Sequence, residues 1–245
     1  MEDKDFTNGL QANTNVFNNP KDSDIILKFG DHQVYAHRAI LRMWSPFFER
    51  SLNSQFPVAT SAIFNIDYDS PEDLKPIYAM LKDFYGMPFG IHPKNTRFHK
   101  AENEHELMYS IRVYMLSDSY DVPSARSAAV FAVQRFLDEY TGSDTLRKED
   151  HAAVAECVAK FCGPGALQLA DLKLRNVLFS WLSDHFYLLT RTPDFAEKIE
   201  NGSLLDTELT AKLIFALSEQ LSEQATIPPR KKRRVQTVYL RSESP

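Results

Sequence analysis

Between Ser23 and Arg50 the apolar positions alternate twice and then change period. Ile25, Leu27 and Phe29 alternate with Ile26 and Lys28, which predicts a half-buried strand. Gly30-Asp31 is a two-residue turn of the kind that closes a hairpin, since Gly tolerates positive φ. Val34 and Ala36 alternate with Gln33 and Tyr35 and predict the returning strand. From His37 the spacing becomes helical, through Ile40, Leu41 and Trp44. Ser45-Pro46 restarts it, with Ser as the cap and Pro at the first helical position. Phe47, Phe48 and Leu52 supply the apolar face of that second helix.

Further along, residues 62–66 predict a short strand, and Asp69-Ser70-Pro71-Glu72-Asp73 a helix start. The helix carries Leu74, Ile77, Met80/Leu81 and Phe84/Tyr85 and stops at Gly86. Gly86 to Glu106 is a long polar connection. Its His92, His99 and His105 are seven and six residues apart, which matches no compact metal motif, so a solvated loop is expected. Leu107, Met108, Ile111, Met115 and Asp118 share helical spacing, with Asp121 as the cap of the next helix. Ala125, Ala128, Ala132 and Phe136 form that helix's inner stripe.

Two segments carry a family resemblance. The first contributes Ser23, Asp24, Gly30, Ala36, His37, Arg38, Leu41, Ser45, Phe47 and Phe48. The second, LSDSYDVPSAR, contributes Asp118, Tyr120 and Pro123. In that order the chain resembles a BTB/POZ domain over residues 23–140, with Val34 standing where the family usually has Phe. With its helical C-terminal half included, the chain is similar to short fungal-type BTB proteins that lack Kelch, zinc-finger or MATH modules. The resemblance implies an α+β fold, a small mixed sheet capped by helices, continued by an all-α extension. It implies a structural role for His37, which joins strand to helix. In transcription-regulator members the positions of Asp24 and Arg38 line a charged pocket near the dimer interface; a local ion pair is the plainer alternative. The resemblance also implies protein partners and leaves a homodimer open, although the leader lacks the apolar helix that many family dimers exchange.

Beyond the resemblance, residues 1–22 are polar and predict a disordered leader without the features of a signal peptide. Residues 141–149 predict a linker. Residues 150–225 predict three or four helices in the place of a BACK-like extension. Their stripes are Val154/Val158/Phe161 and Leu174/Val177/Leu178/Trp181/Leu182, then a short helix from Asp194. A capping box at Ser203–Asp206 precedes Leu209, Leu213, Leu217 and Leu221.

Charge divides the chain. Residues 226–245 hold six Lys/Arg and one Glu, a charge of +5, while residues 1–225 hold 22 Lys/Arg and 32 Asp/Glu, a charge of −10. An acidic body repels nucleic acid, and no recognition helix or zinc module argues for sequence-specific binding. The tail is a basic disordered segment in which Arg230, Lys231, Lys232, Arg233 and Arg234 follow Pro228-Pro229. It looks like a nuclear localisation signal, which presents alternate cationic stems to an import receptor. A merely solubilising tail is the alternative. The protein is expected in the nucleus, with a cytoplasmic pool allowed.

No catalytic, metal or cofactor motif is legible, so a nonenzymatic protein without cofactor is expected. Cys157 and Cys162 are expected as free buried thiols, and no stretch is apolar enough to predict a membrane span. Cullin-3 adaptors of the family often place a hydrophobic-x-Glu motif after the second helix. Residues 51–70 contain no Glu, and Phe47-Phe48-Glu49 lies earlier, inside the helix. The ubiquitin-adaptor role is therefore the alternative to a nuclear regulatory or scaffold role, with transcription regulation as the expected setting.

Overall fold

The computed structural model describes residues 16–68, 70–87, 105–141 and 150–226. Strands β1 (Ile25–Phe29) and β2 (His32–Ala36) pair antiparallel, with Phe29 opposite His32 across the Gly30-Asp31 turn. Gly30 takes φ +57°, which a side chain at this position would resist. Strand β3 (Ile63–Asn65) pairs parallel to β1 on its other side, giving a mixed sheet of order β2-β1-β3. The expected alternation is realised: Ile25, Leu27, Phe29, Val34 and Ala36 are buried.

Helices α1 (Arg38–Trp44) and α2 (Pro46–Leu52) follow the hairpin. A 3₁₀ turn at Pro71–Asp73 leads into α3 (Leu74–Asp83). There Pro76 sits in the first turn, where the missing N–H costs nothing. Next come α4 (Glu106–Ser119) and α5 (Pro123–Thr141). The remaining helices are α6 (His151–Cys162), α7 (Lys173–Leu189), α8 (Pro193–Glu200) and α9 (Thr207–Thr226). This is the α+β domain with helical extension that the sequence predicts. No helix among the described residues is long and apolar enough to cross a membrane.

Two cores organise the chain. One joins the sheet to α1, α2 and α3 through Leu27, Phe48, Ile77 and Met80. The other joins α4 and α5 to the extension, through Tyr114, Val133, Tyr140, Phe161, Leu178 and Phe195. The α4–α5 hairpin serves both, because Tyr120, Val122 and Ala125 at its turn enter the first core. Helices α4 and α5 thus share one core with the extension. Most of the expected linker, residues 142–149, lies outside the described residues.

Three local expectations change. Residues 16–18, expected as part of a disordered leader, pack on the domain: the Phe17 ring meets Tyr78 at 5.3 Å and Tyr85 at 5.2 Å, edge to face. Asn18 accepts the Tyr35 backbone N–H at 3.1 Å. A single aromatic anchor outweighs the polar composition around it. Asp121 is not the cap of α5. It takes φ +47° just past α4, and Val122 N–H donates to the Ser117 carbonyl at 2.7 Å, a left-handed helix stop. The cap of α9 is Asp206 rather than Ser203, since Leu209 N–H donates to the Asp206 carboxylate at 2.8 Å.

One buried charge ties the domain to the extension. Arg126 on α5 is 7 % exposed and lies 3.5 Å from Asp118, 3.4 Å from Asp121 and 3.4 Å from Asp171. Asp171 belongs to the α6–α7 connection, and its carboxylate also accepts from the Tyr114 hydroxyl at 2.9 Å. Asp118 accepts the Ala170 backbone N–H at 3.0 Å. Removing the cation alone leaves carboxylates facing one another in a partly buried site. Arg126→Ala is expected to lower stability by about 3–5 kcal/mol, and Arg126→Met, which refills the volume, by less. Urea denaturation of both variants checks the order; equal stability of wild type and Arg126→Ala would contradict it.

Candidate interaction surface

The two segments that carry the resemblance meet in space. Ser45 is fully buried: its hydroxyl accepts the Phe48 N–H at 3.1 Å, capping α2, and donates to the Tyr120 carbonyl at 2.6 Å. Phe47 lies edge-on to the Tyr120 ring at 5.1 Å, and Phe48 stacks on it at 5.9 Å. The Tyr120 hydroxyl accepts from Asp67 N–H at 2.8 Å and donates to the Asp67 carbonyl at 3.0 Å. Leu41 is buried in the same core, and Pro123 opens α5 at the surface. Asp118 is drawn into the Arg126 cluster. These residues frame a surface rather than form one.

His37 sits at the junction of β2 and α1. Its Nδ1 is 3.1 Å from the Tyr85 hydroxyl, which also accepts the His37 backbone N–H at 3.2 Å. Asp24 and Arg38 come close, but their side chains serve the backbone. Asp24 accepts the Arg38 backbone N–H at 2.8 Å, at the start of α1. The Arg38 guanidinium donates to the Ala59 carbonyl at 2.7 Å and to the Ser61 carbonyl, holding the chain that enters β3. Within the chain the two side chains thus hold backbone groups rather than each other. Spacing brought the two residues together, but it could not reveal that carbonyls would claim the guanidinium.

The exposed apolar side chains are elsewhere. Met43 on α1 is 68 % exposed, and Phe56, in the segment after α2, is 72 % exposed. Sequence reasoning missed both as contact residues. The available signal was that Met43 falls off the Ile40/Leu41/Trp44 stripe, and that Phe56 stands among polar residues. Beside Met43, Arg42 donates to Glu49 at 2.9 Å. This bond from Arg42 holds the Glu49 carboxyl below the usual range. The one hydrophobic-x-Glu near α2 thus has its carboxylate occupied within the domain.

Little supports reaction chemistry. No cluster of His, Cys, Asp or Glu that could hold a metal ion occurs among the described residues. His92 and His99 lie outside them, and His105 bonds the Asp150 carboxylate at 2.7 Å. Cys157 and Cys162 are free and buried. Burial pushes both thiols up, Cys162 to about 12, so neither supplies a thiolate near neutral pH. The cation run Arg230–Arg234 lies outside the described residues.

The chain thus has a small mixed sheet roofed by helices, with the polar groups of its motifs turned inward to hold the frame. A family model of the BTB/POZ domain matches residues 14–97. The chain carries a BTB/POZ domain, and such a domain is a protein-interaction module. The match begins before Phe17, in keeping with the packing of that ring. No curated protein matches the chain.

The buried phenols give the frame an alkaline limit. Burial raises the Tyr120 and Tyr85 hydroxyls from 10.0 to about 12. The folded state holds these protons more tightly than the unfolded state, so unfolding releases them above the ordinary value. Their stabilising share is complete below pH 10.0 and is lost as pH rises towards about 12. Tyr120→Phe removes its part of this dependence. Urea midpoints across that interval should fall less steeply for the variant; identical slopes would contradict the assignment.

Proposed function

We propose that the protein is a nuclear regulatory or scaffold protein that docks partners through its BTB/POZ domain and has no enzymatic step of its own. The observation that carries the nuclear part is the unbroken run Arg230-Lys231-Lys232-Arg233-Arg234 behind Pro228-Pro229. The rest of the chain is acidic, so the run is a local feature rather than a general basic character. An extended cationic segment suits the acidic, aromatic-lined pockets of a nuclear import receptor. Its charge would add salt-sensitive affinity for phosphate but no base readout, so sequence-specific nucleic acid is not among the proposed partners.

On the domain itself, Met43 and Phe56 are apolar anchors of the kind that interaction hot spots use. Self-pairing through the BTB/POZ domain is consistent with the family. The exposed Phe56 also favours a second reading, a substrate adaptor of a cullin-3 ubiquitin ligase. It follows α2, where such adaptors carry their apolar residue, but Val58 stands where the Glu would fall. Arg38, which braces the segment after Phe56, would then position that contact without making it.

Changing Lys231, Lys232 and Arg233 together to Ala is expected to abolish nuclear accumulation of a fluorescent fusion. Equal nuclear signal for wild type and variant would sink the localisation proposal. A titration with the purified cullin-3 N-terminal region is expected to show no binding at about micromolar concentration. Micromolar or tighter binding that Phe56→Ala removes would replace the proposed role by the adaptor role.

A further inference from the structure

Ser/Thr-Pro pairs stand at Ser45, Ser70, Thr192 and Ser244. Ser45 and Thr192 are buried, and Ser244 lies outside the described residues. Ser70 is only half-buried, and Asp67, Tyr68, Pro71 and Glu72 around it are exposed. Its backbone is extended, at φ −149° and ψ 155°, just before the short turn that leads into α3. A protein kinase that selects Ser-Pro therefore meets both residues at the surface.

Behind Ser70 the surroundings are cationic. Ser70 borders a cavity of about 220 Å³ that Arg112 on α4 and Lys160 on α6 also line. Arg112 Nη1 is 3.4 Å from the Ser70 hydroxyl and 3.4 Å from the Asp73 carboxylate, and the guanidinium also pairs with Glu72. The Glu72 side chain is 66 % exposed, so that pair is cheap to exchange. Among the described residues no carboxylate pairs with the Lys160 ammonium. A phosphate on Ser70 would bring about −1.5 to −2 of charge and three acceptor oxygens. It would meet a guanidinium already beside the hydroxyl and an ammonium with no acid of its own. Asp73 opposes the phosphate, but the same Arg112 nitrogen stands by both and offsets that repulsion.

We propose that Ser70 is a phosphorylation site for a proline-directed protein kinase, and that Arg112 and Lys160 receive the phosphate. The Ser70 Oγ attacks the γ-phosphorus of a nucleoside triphosphate as the bond to the leaving diphosphate breaks. The hydroxyl proton passes to the kinase's base, and the nucleoside diphosphate departs. Ser70 precedes α3 of the sheet core, whereas Lys160 belongs to α6 of the extension. The phosphate is thus a removable tie between the BTB/POZ domain and the extension, and it does not depend on where in the cell the protein resides.

The full chain carrying Ser244→Ala, which silences the Ser-Pro pair of the tail, tests this. Incubation with a purified proline-directed kinase and nucleoside triphosphate should add one phosphate, mapped to Ser70 by mass spectrometry. A folded chain left unmodified at Ser70 overturns the proposal. Phosphorus NMR of the modified chain then reads the receiving groups. The second ionisation of the phosphate should fall roughly one pH unit lower in the folded chain than in the same chain in urea, because nearby cations favour the dianion. Lys160→Gln should reverse part of that shift while circular dichroism stays that of the parent chain. An equal titration of folded and urea-unfolded chains overturns the receiving role of both cations, and a titration unmoved by Lys160→Gln overturns the tie to the extension.

Discussion

The α4–α5 hairpin has to satisfy two cores at once, and the rest of the structure depends on that constraint. At its turn Tyr120, Val122 and Ala125 are buried against the sheet domain, while the bodies of both helices are buried against the extension. Polar ties guard each side. Towards the sheet, the Ser45 hydroxyl bridges the start of α2 and the Tyr120 carbonyl, and the Tyr120 phenol bridges both backbone groups of Asp67. Towards the extension, Arg126 gathers Asp118, Asp121 and Asp171. Neither set of groups can be buried cheaply unless its partners arrive together. A shift of the hairpin would therefore break both.

This arrangement explains why the residues that carry the family pattern are mostly internal. Ser45, Phe48, Tyr120 and Leu41 are buried, and Asp118 pairs with a buried cation. They fix the frame, and the frame leaves Met43 on α1 and Phe56 after α2 at the surface. Both exposed residues stand in positions that the pattern leaves free. The motif residues thus explain how the surface is held.

The hairpin, the α1–α2 pair and the stripes of α6 and α7 were legible because each has one dry face and a clear period. Helix α4 was harder. Tyr109, Ile111, Val113 and Tyr114 are buried on most of its circumference, so the stripe drawn through Met108 and Met115 covered only part of its contacts. Phe17 was hidden because its neighbours are polar, and its aromatic partners come from α3 and just beyond it. Asp121 looked like a cap by spacing, but its positive φ is a property of the turn. Asp24 and Arg38 were rightly placed near each other, yet their partners are backbone groups, which carry no residue-type signal. Helical spacing showed that α9 has an apolar side; it could not show that the body would leave Ile214 and Leu221 uncovered. The cation run was legible as chemistry alone.

A chain truncated after Thr141 tests the shared hairpin most directly. It keeps the whole sheet domain, α4 and α5, but removes the helices that cover Tyr114, Val133 and Tyr140. Hydrogen exchange of the truncated and full chains, read on α4 and α5, would compare their protection. Loss of protection throughout both helices, with exposed apolar surface and aggregation, is the predicted result. Unchanged protection and an unchanged urea midpoint would mean that the chain up to Thr141 stands alone and that the two cores are independent.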